Sequence, residues 1–313
     1  MRPTTEIAVA EKFRSKELAW ADRANLPRTQ HRVYLGDARE MRQLGAGPSV
    51  HLVVTSPPYW TLKKYPGSER HGQLGAVENY ARFQSELAKV WERCFDLLHP
   101  GGRLCVVVGD VCLSRRAAGR HSVVPLHADI TTHAQRCGFD YLSPIFWHKI
   151  ANAATEVRGN GSGFLGKPYE PNAIIKNDVE YILLFRKAGE YRHPTERQRE
   201  LSVISKQDHQ RWFRQIWTDI PGESTKLHPA PFPKELAHRL ISMFSFVGDT
   251  VLDPFWGWDT PQRPRSMLTG RASVLKLSRT TSARVTIVST NWASEGTRSS
   301  SSTAISRSFH EGT

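Results

Sequence analysis

The sequence predicts a mainly parallel α/β sheet with crossover helices, on three observations. Two short β-branched runs, residues 50–55 (Val-His-Leu-Val-Val-Thr) and 103–110 (Arg-Leu-Cys-Val-Val-Val-Gly-Asp), are apolar enough to be covered on both faces. Between them, Tyr80, Phe83, Leu87, Val90, Trp91, Phe95 and Leu98 recur at spacings of three and four, which marks an amphipathic helix over 79–98. Ser56-Pro57-Pro58 stops the first run and His99-Pro100-Gly101-Gly102 stops the helix, so the order is strand, helix, strand.

The other elements follow the same logic. His31-Arg-Val-Tyr-Leu35 reads as a first strand running into Gly36-Asp37-Ala38. A helix is expected over 126–137, strands over 141–147 and 179–185, a helix over 234–244, and a strand over 248–255 that ends in a turn. Residues 1–30 are polar and read as an arm or as a short helix over 5–23. Residues 152–172 are polar and Gly-rich, too long for an ordinary connection, which makes them a functional loop. Residues 188–217 interleave basic and aromatic side chains and read as an insertion on the sheet. The resulting organisation is an arm (1–30), a main domain (31–257) and an atypical tail (258–313), disordered or frameshifted.

The chain has 313 residues, enough for one large domain with a sizeable core. No apolar run approaches the roughly 18 residues of a membrane span, and the first twenty residues carry no apolar signal core. The expected address is the cytoplasm. The four cysteines, Cys94, Cys105, Cys112 and Cys137, show neither a C-x-x-C pair nor metal-ligand spacing, so reduced thiols and no metal are expected. The net charge of +13 favours a polyanionic partner, because basic side chains displace counterions from phosphates. The tail from Trp258 holds eight Lys/Arg against three acids and 21 Ser/Thr in 56 residues, unlike the rest.

The sharpest chemical feature is Thr55-Ser56-Pro57-Pro58-Tyr59-Trp60 at the carboxyl end of a strand, where open α/β sheets bind ligands. Two prolines stiffen the backbone and remove two N–H donors, leaving carbonyls and the Ser56 hydroxyl as acceptors beside the Tyr59 ring. Such a pocket suits a planar group with an NH₂ to donate. Lys63, Lys64, Arg70 and His71 follow directly and are placed to approach phosphates. Arg192, Arg211 and Arg214, in the basic and aromatic segment, are further candidates for phosphate contact; a solvated basic face fits them equally well.

Ser56-Pro57-Pro58-Tyr59, His228-Pro-Ala230-Pro231-Phe232-Pro233 and Val251-Leu-Asp253-Pro254-Phe255, in this order, resemble the β-class amino-group DNA methyltransferases of restriction-modification systems. The resemblance spans about residues 34–257. It implies a Rossmann-like, S-adenosylmethionine-dependent methyltransferase sheet with a small target-recognition insertion, acting on double-stranded DNA, with a restriction endonuclease as genetic neighbour. Ser-Pro-Pro-Tyr is most typical of N4-cytosine enzymes and Asp-Pro-Pro-Tyr of N6-adenine ones. By the same resemblance, Ser56, Pro57, Pro58 and Tyr59 hold a flipped-out base, its amine donating to the Ser56 side chain and the Pro57 carbonyl while Tyr59 stacks on it. Asp37 meets the adenine end of the cofactor, although a helix N-cap fits it nearly as well. Ala230, Pro231 and Phe232 pack against the cofactor, and Asp253, Pro254, Phe255 and Gly257 approach its methionine part. No cysteine follows a proline as the nucleophile of C5-cytosine enzymes does.

The resemblance breaks after Gly257. The family continues x-Gly-x-Gly-Thr-Thr, whose glycines let the backbone approach the cofactor closely; this chain reads Trp256-Gly257-Trp258-Asp259-Thr260-Pro261. The later Gly-Ile-Glu, whose acid holds the ribose hydroxyls, is replaced by Leu275-Lys276-Leu277. Trp-Asp-Thr is written TGG-GAY-ACN, and one base later it gives GGG and then ACA or ATA, that is, Gly followed by Thr or Ile. A frameshift near Gly257, partly regained around Met267 and lost again after Val274, accounts for this, with a divergent C terminus as the alternative. Three functions stay open: N4-cytosine methylation, N6-adenine methylation, and a non-catalytic DNA-binding remnant. Trp258 adds bulk where close approach is needed, and a buried ribose hydroxyl without its acid costs about 1–3 kcal/mol. The chain as written is therefore expected to bind S-adenosylmethionine weakly or not at all in calorimetry; micromolar affinity overturns this, and resequencing the gene tests the shifted frame.

Overall fold

The computed structural model describes residues 31–60, 73–149, 177–222, 233–255 and 284–289. In chain order these form β1 (His31–Leu35), β2 (Val50–Thr55), α1 (Tyr80–Leu97), β3 (Leu98–Val108), β4 (Val111–Leu113), α2 (Arg115–Ala118), β5 (Ser122–Val124), α3 (Leu126–Arg136), β6 (Phe139–His148) and β7 (Val179–Lys187). They continue with α4 (Glu196–Leu201), α5 (Lys206–Trp212), β8 (Ile216–Trp217), α6 (Lys234–Phe244), β9 (Thr250–Asp253) and β10 (Arg284–Ser289). The expected arm over 1–30 and functional loop over 152–172 lie outside the described residues.

Eight strands form one sheet in the order β1-β10-β9-β2-β3-β7-β6-β8, and β4 and β5 pair separately. From β1 to β3 every pairing is parallel. β7 is antiparallel to both β3 and β6, while β8 is parallel to β6, so β7 alone runs the other way. The start of β7 therefore shares an edge with the carboxyl ends of β2, β3, β6 and β9. The slot between β1 and β9 is filled by β10, from the tail.

Alternation along the central strands explains their unbroken apolar runs. Val53, Leu104, Val106, Leu183, Phe185 and Leu252 face one core with α1 and α3, and Leu52, Val54, Cys105, Val107, Ile182, Leu184 and Val251 face a second core with α6 and two tryptophans, Trp212 and Trp217. The α1 helix starts at Asn79, whose side chain accepts the Arg82 N–H at 2.9 Å. It buries Phe83, Leu87, Val90, Trp91, Cys94 and Leu97, one per turn or so, against the sheet. Residues 188–217 fold into two short helices and the edge strand β8. Sequence patterning did not resolve that edge strand, because a two-residue strand has no periodicity.

Two buried polar devices hold the sheet to its surroundings. Arg239 of α6, fully buried, donates to both oxygens of Asp219 (2.8 and 3.0 Å) and to Glu235 (2.8 Å), with its guanidinium over the Trp217 ring. At the carboxyl edge, buried Thr55 donates to Asp253 Oδ1 at 2.6 Å, tying the end of β2 to that of β9, and the Phe255 N–H meets the same oxygen at 3.0 Å. Burial pushes the Asp253 carboxyl up to about 6, against these two bonds, which favour the ionised form.

A folded carboxyl that keeps its proton to higher pH than the unfolded one lends stability that is complete below about pH 4 and is lost as pH rises through about 6. Urea unfolding of the chain should show that decline, and Asp253→Asn should flatten it. Leu104→Ala, at a fully buried position of a central strand, should cost about 2–5 kcal/mol in the same measurement.

Candidate active site

The parallel strands deliver their following loops to one edge, the position at which open α/β sheets build sites. Ser56, Pro57, Pro58 and Tyr59 leave β2 there, Asp253, Pro254 and Phe255 leave the adjacent strand β9, and Asp37 follows β1. Seven of the expected catalytic and cofactor residues thus leave the same edge as Asp37 does. Gly257, Ala230, Pro231 and Phe232 lie outside the described residues, as do Lys63, Lys64, Arg70 and His71.

The loop after β2 is pinned at both ends. Trp60 adopts a left-handed backbone (φ 47), unusual for a bulky residue, and its indole N–H donates to the carbonyls of Val77 (3.1 Å) and Glu78 (3.0 Å). Its ring meets Tyr80 edge-on at 5.0 Å. Tyr80 in turn donates to Asp129 at 2.6 Å and accepts from Gln84 at 2.9 Å, and burial followed by Asp129 pushes its phenol well above the usual range. Phe255 closes the other side, edge-on to Trp91.

Between these anchors the Ser56 hydroxyl donates to the Tyr59 hydroxyl at 3.4 Å. Tyr59 donates to Glu180 Oε2 at 3.1 Å and also meets the Val107 carbonyl at 3.4 Å. Lys149 binds Glu180 Oε1 at 2.8 Å, with its ammonium near the Trp147 ring. A Cβ built on Gly109 lies 3.4 Å from both Tyr59 and Glu180, so this position of the backbone lies against the place where the two side chains meet. Next to it, Asp110 accepts from the His127 backbone (3.2 Å) and faces His127 Nδ1 at 2.7 Å, while the imidazole stacks on Tyr181 at 3.8 Å. Glu180, Lys149, Asp110 and His127 escaped the sequence reading. For Glu180 a signal existed: a carboxylate at the second position of an otherwise apolar strand.

Asp37 accepts the Arg39 N–H at 2.9 Å and the Arg39 guanidinium on both oxygens. Burial works against its ionisation, but Arg39 outweighs it and holds the carboxyl below the usual range. Asp37 thus caps its own turn while standing at the cofactor edge. The described part of that edge fits an adenosyl cofactor: three loops leave it and an acid stands at the outer one. The strand between β1 and β9, Arg-Val-Thr-Ile-Val-Ser, carries no acid for a ribose. Cys94 and Cys105 are buried with thiols pushed up by burial, unsuited to nucleophilic work.

The described basic candidates, Arg192, Arg211 and Arg214, make their hydrogen bonds away from the Ser56 loop. Arg192 pairs with buried Asp249, which precedes β9 and so sits at the edge opposite Ser56. Arg211 pairs with Asp219 and Arg214 donates to the Gln210 carbonyl at 2.8 Å, both beside the outer strand β8. No helix among the described residues is long and apolar enough to cross a membrane.

A family model described as DNA methylase matches residues 50–261, ending where the glycine-rich pattern fails. The Type II methyltransferase M.MjaI of Methanocaldococcus jannaschii is 36% identical over 259 residues, 74% of this chain and 82% of the relative. M.MthZI of Methanothermobacter thermautotrophicus is 33% identical over 253 residues, 74% of this chain and 69% of its own length. Among solved structures, TTHA0409 of Thermus thermophilus, a candidate DNA modification methylase crystallised with S-adenosyl-L-methionine, superposes with a TM-score of 0.62 at 49% identity, covering 83% of this chain and 87% of the other. A match over well over half the sequence, on a sheet whose loops meet at one edge as described, makes the chain a member of the DNA methylases that modify the amino groups of adenine N6 or cytosine N4, of restriction-modification type.

Proposed function

We propose that the chain transfers a methyl group from S-adenosylmethionine to the N4 amine of cytosine in double-stranded DNA. The observation that carries this is Ser56, a neutral hydroxyl where N6-adenine enzymes usually carry an Asp, standing beside the Tyr59 ring at the carboxyl edge of β2. The target cytosine leaves the stack, lies on the Tyr59 face, and donates its two amine hydrogens to Ser56 Oγ and the Pro57 carbonyl. The cofactor, when bound, supplies an electrophilic methyl group on a sulfonium. Ser56 and Pro57 aim the nitrogen lone pair at that carbon; an N–C bond forms as the S–C bond breaks, and the nitrogen then releases one proton to solvent. Positioning supplies the acceleration, and no covalent bond to the enzyme is needed.

Asp37, Asp253, Pro254, Phe255 and Gly257, with Ala230, Pro231 and Phe232, are assigned to the cofactor. DNA backbone contact is assigned to Lys63, Lys64 and Arg70, which follow the catalytic loop; Arg192, bound to Asp249 at the far edge, is a weaker assignment than in the sequence reading. A restriction endonuclease of the same specificity is the expected genetic neighbour. A second reading, a non-catalytic DNA-binding remnant, is favoured by one observation: the family match stops at residue 261, in the altered Trp256–Pro261 stretch.

Tritiated S-adenosylmethionine and plasmid DNA separate these readings. An Asp259→Gly/Pro261→Thr variant, which restores the family pattern in register, should transfer methyl faster than the chain as written, and nucleoside analysis of the product should give N4-methylcytosine; N6-methyladenine overturns the cytosine assignment. Ser56→Ala and Tyr59→Ala in that variant should each lower the rate by about a hundredfold, the cost of misplacing a reacting group. DNA retention without transfer in every variant establishes the remnant.

A further inference from the structure

The Ser56 and Tyr59 hydroxyls, the Glu180 carboxylate and the Lys149 ammonium form one line of contacts, 3.4, 3.1 and 2.8 Å long in turn, from the loop after β2 through the first residues of β7 to the end of β6. The two ends of that line differ in kind. An ammonium has only protons to offer, and the carboxylate paired with it offers only acceptors. The single Tyr59 proton therefore points toward Glu180 Oε2, and the Val107 carbonyl, 3.4 Å away, is a second acceptor. What the Tyr59 oxygen shows to Ser56 is its lone pairs, so the Ser56 proton is committed to Tyr59.

This direction matters for a target amine. A hydroxyl alone is ambivalent: as a donor it would bind the nitrogen lone pair that has to attack, and as an acceptor it leaves that pair exposed. We infer that Glu180, held by Lys149, is a positioning residue that fixes the hydrogen-bond direction through Tyr59, so that Ser56 meets the substrate amine as an acceptor only. The inference rests on the amine-methylation reading for the identity of the donor. Glu180 touches neither substrate nor cofactor and takes up no proton; it acts through two hydroxyls. The charge of the pair makes its hydrogen bond to Tyr59 stronger than the neutral one to Val107.

The test uses the full chain labelled with ¹³Cζ-tyrosine, in which Tyr59 is identified by the resonance lost in Tyr59→Phe. Glu180→Gln keeps size but can turn an NH₂ toward the phenol; it should move the Tyr59 resonance and leave the other tyrosines and the thermal midpoint unchanged. Ser56→Ala should move the same resonance, having removed its donor. An unmoved Tyr59 resonance in Glu180→Gln overturns the inference, and this arm decides by itself whatever the turnover of the chain. In methyl transfer, Glu180→Gln should lower kcat about tenfold or more with KM for DNA within about twofold, and should add nothing in the Ser56→Ala background, because both act through one group. Losses that multiply instead overturn the inference. Full transfer by Ser56→Ala, with the resonance shifted as expected, refutes the methylation reading and leaves the hydrogen-bond direction standing.

Discussion

One buried hydrogen bond sets the geometry on which the site depends. Thr55 and Asp253 are 198 residues apart in sequence and 2.6 Å apart at Oγ1 and Oδ1, with Thr55 taken fully out of water and the Asp253 carboxyl desolvated beside it. The bond fixes how far β2 and β9 project beyond the sheet, and so how the loop carrying Ser56 stands against the turn at Phe255. A largely desolvated carboxyl is costly to ionise without donors, and Asp253, itself partly buried, finds two, the Thr55 hydroxyl and the Phe255 amide. A polar tie of this kind specifies one relative height of two strands, which apolar packing alone leaves free to slide.

The second determinant is the reversal at β7. A fully parallel sheet would put the start of that strand at the far edge, away from the site. Running it backwards places Glu180 beside Tyr59 and, through the β6 end, Lys149 beside Glu180. The loop after β2 thus meets the strands beside it, its tyrosine hydroxyl reaching the Val107 carbonyl of β3 and the Glu180 carboxylate of β7.

Much of this was legible in the sequence. The strands over 50–55 and 179–185, the α1 periodicity and the helix over 234–244 were readable because both-face burial and a helical stripe leave strong patterns, and Ser56-Pro-Pro-Tyr59 was readable because it sets acceptors beside an aromatic ring at the carboxyl end of a strand and matches a family motif. What escaped shares one property. The three-residue strands β4 and β5, the two-residue β8 and the ladder position of β10 are set by the strands they pair with, not by their own composition. Glu180 and Lys149 likewise acquire meaning only when β6 and β7 are aligned. Arg192 looked like a phosphate ligand because charge runs carry no address, yet its partner is a buried acid at the other rim.

The closing of β6 onto β7 has an evolutionary consequence. The ladder between them continues to its last residues, with His148 opposite Val179 and the Lys149 amide bound to the Asp178 carbonyl at 2.9 Å. The chain that connects the two strands therefore leaves and re-enters at the rim that carries Ser56 and Tyr59. Lengthening such a connection is cheap, about 0.6 kcal/mol per doubling, and does not disturb the register behind it. The connection can in this way change in length and sequence while the strands and the Ser56 loop behind it stay in place.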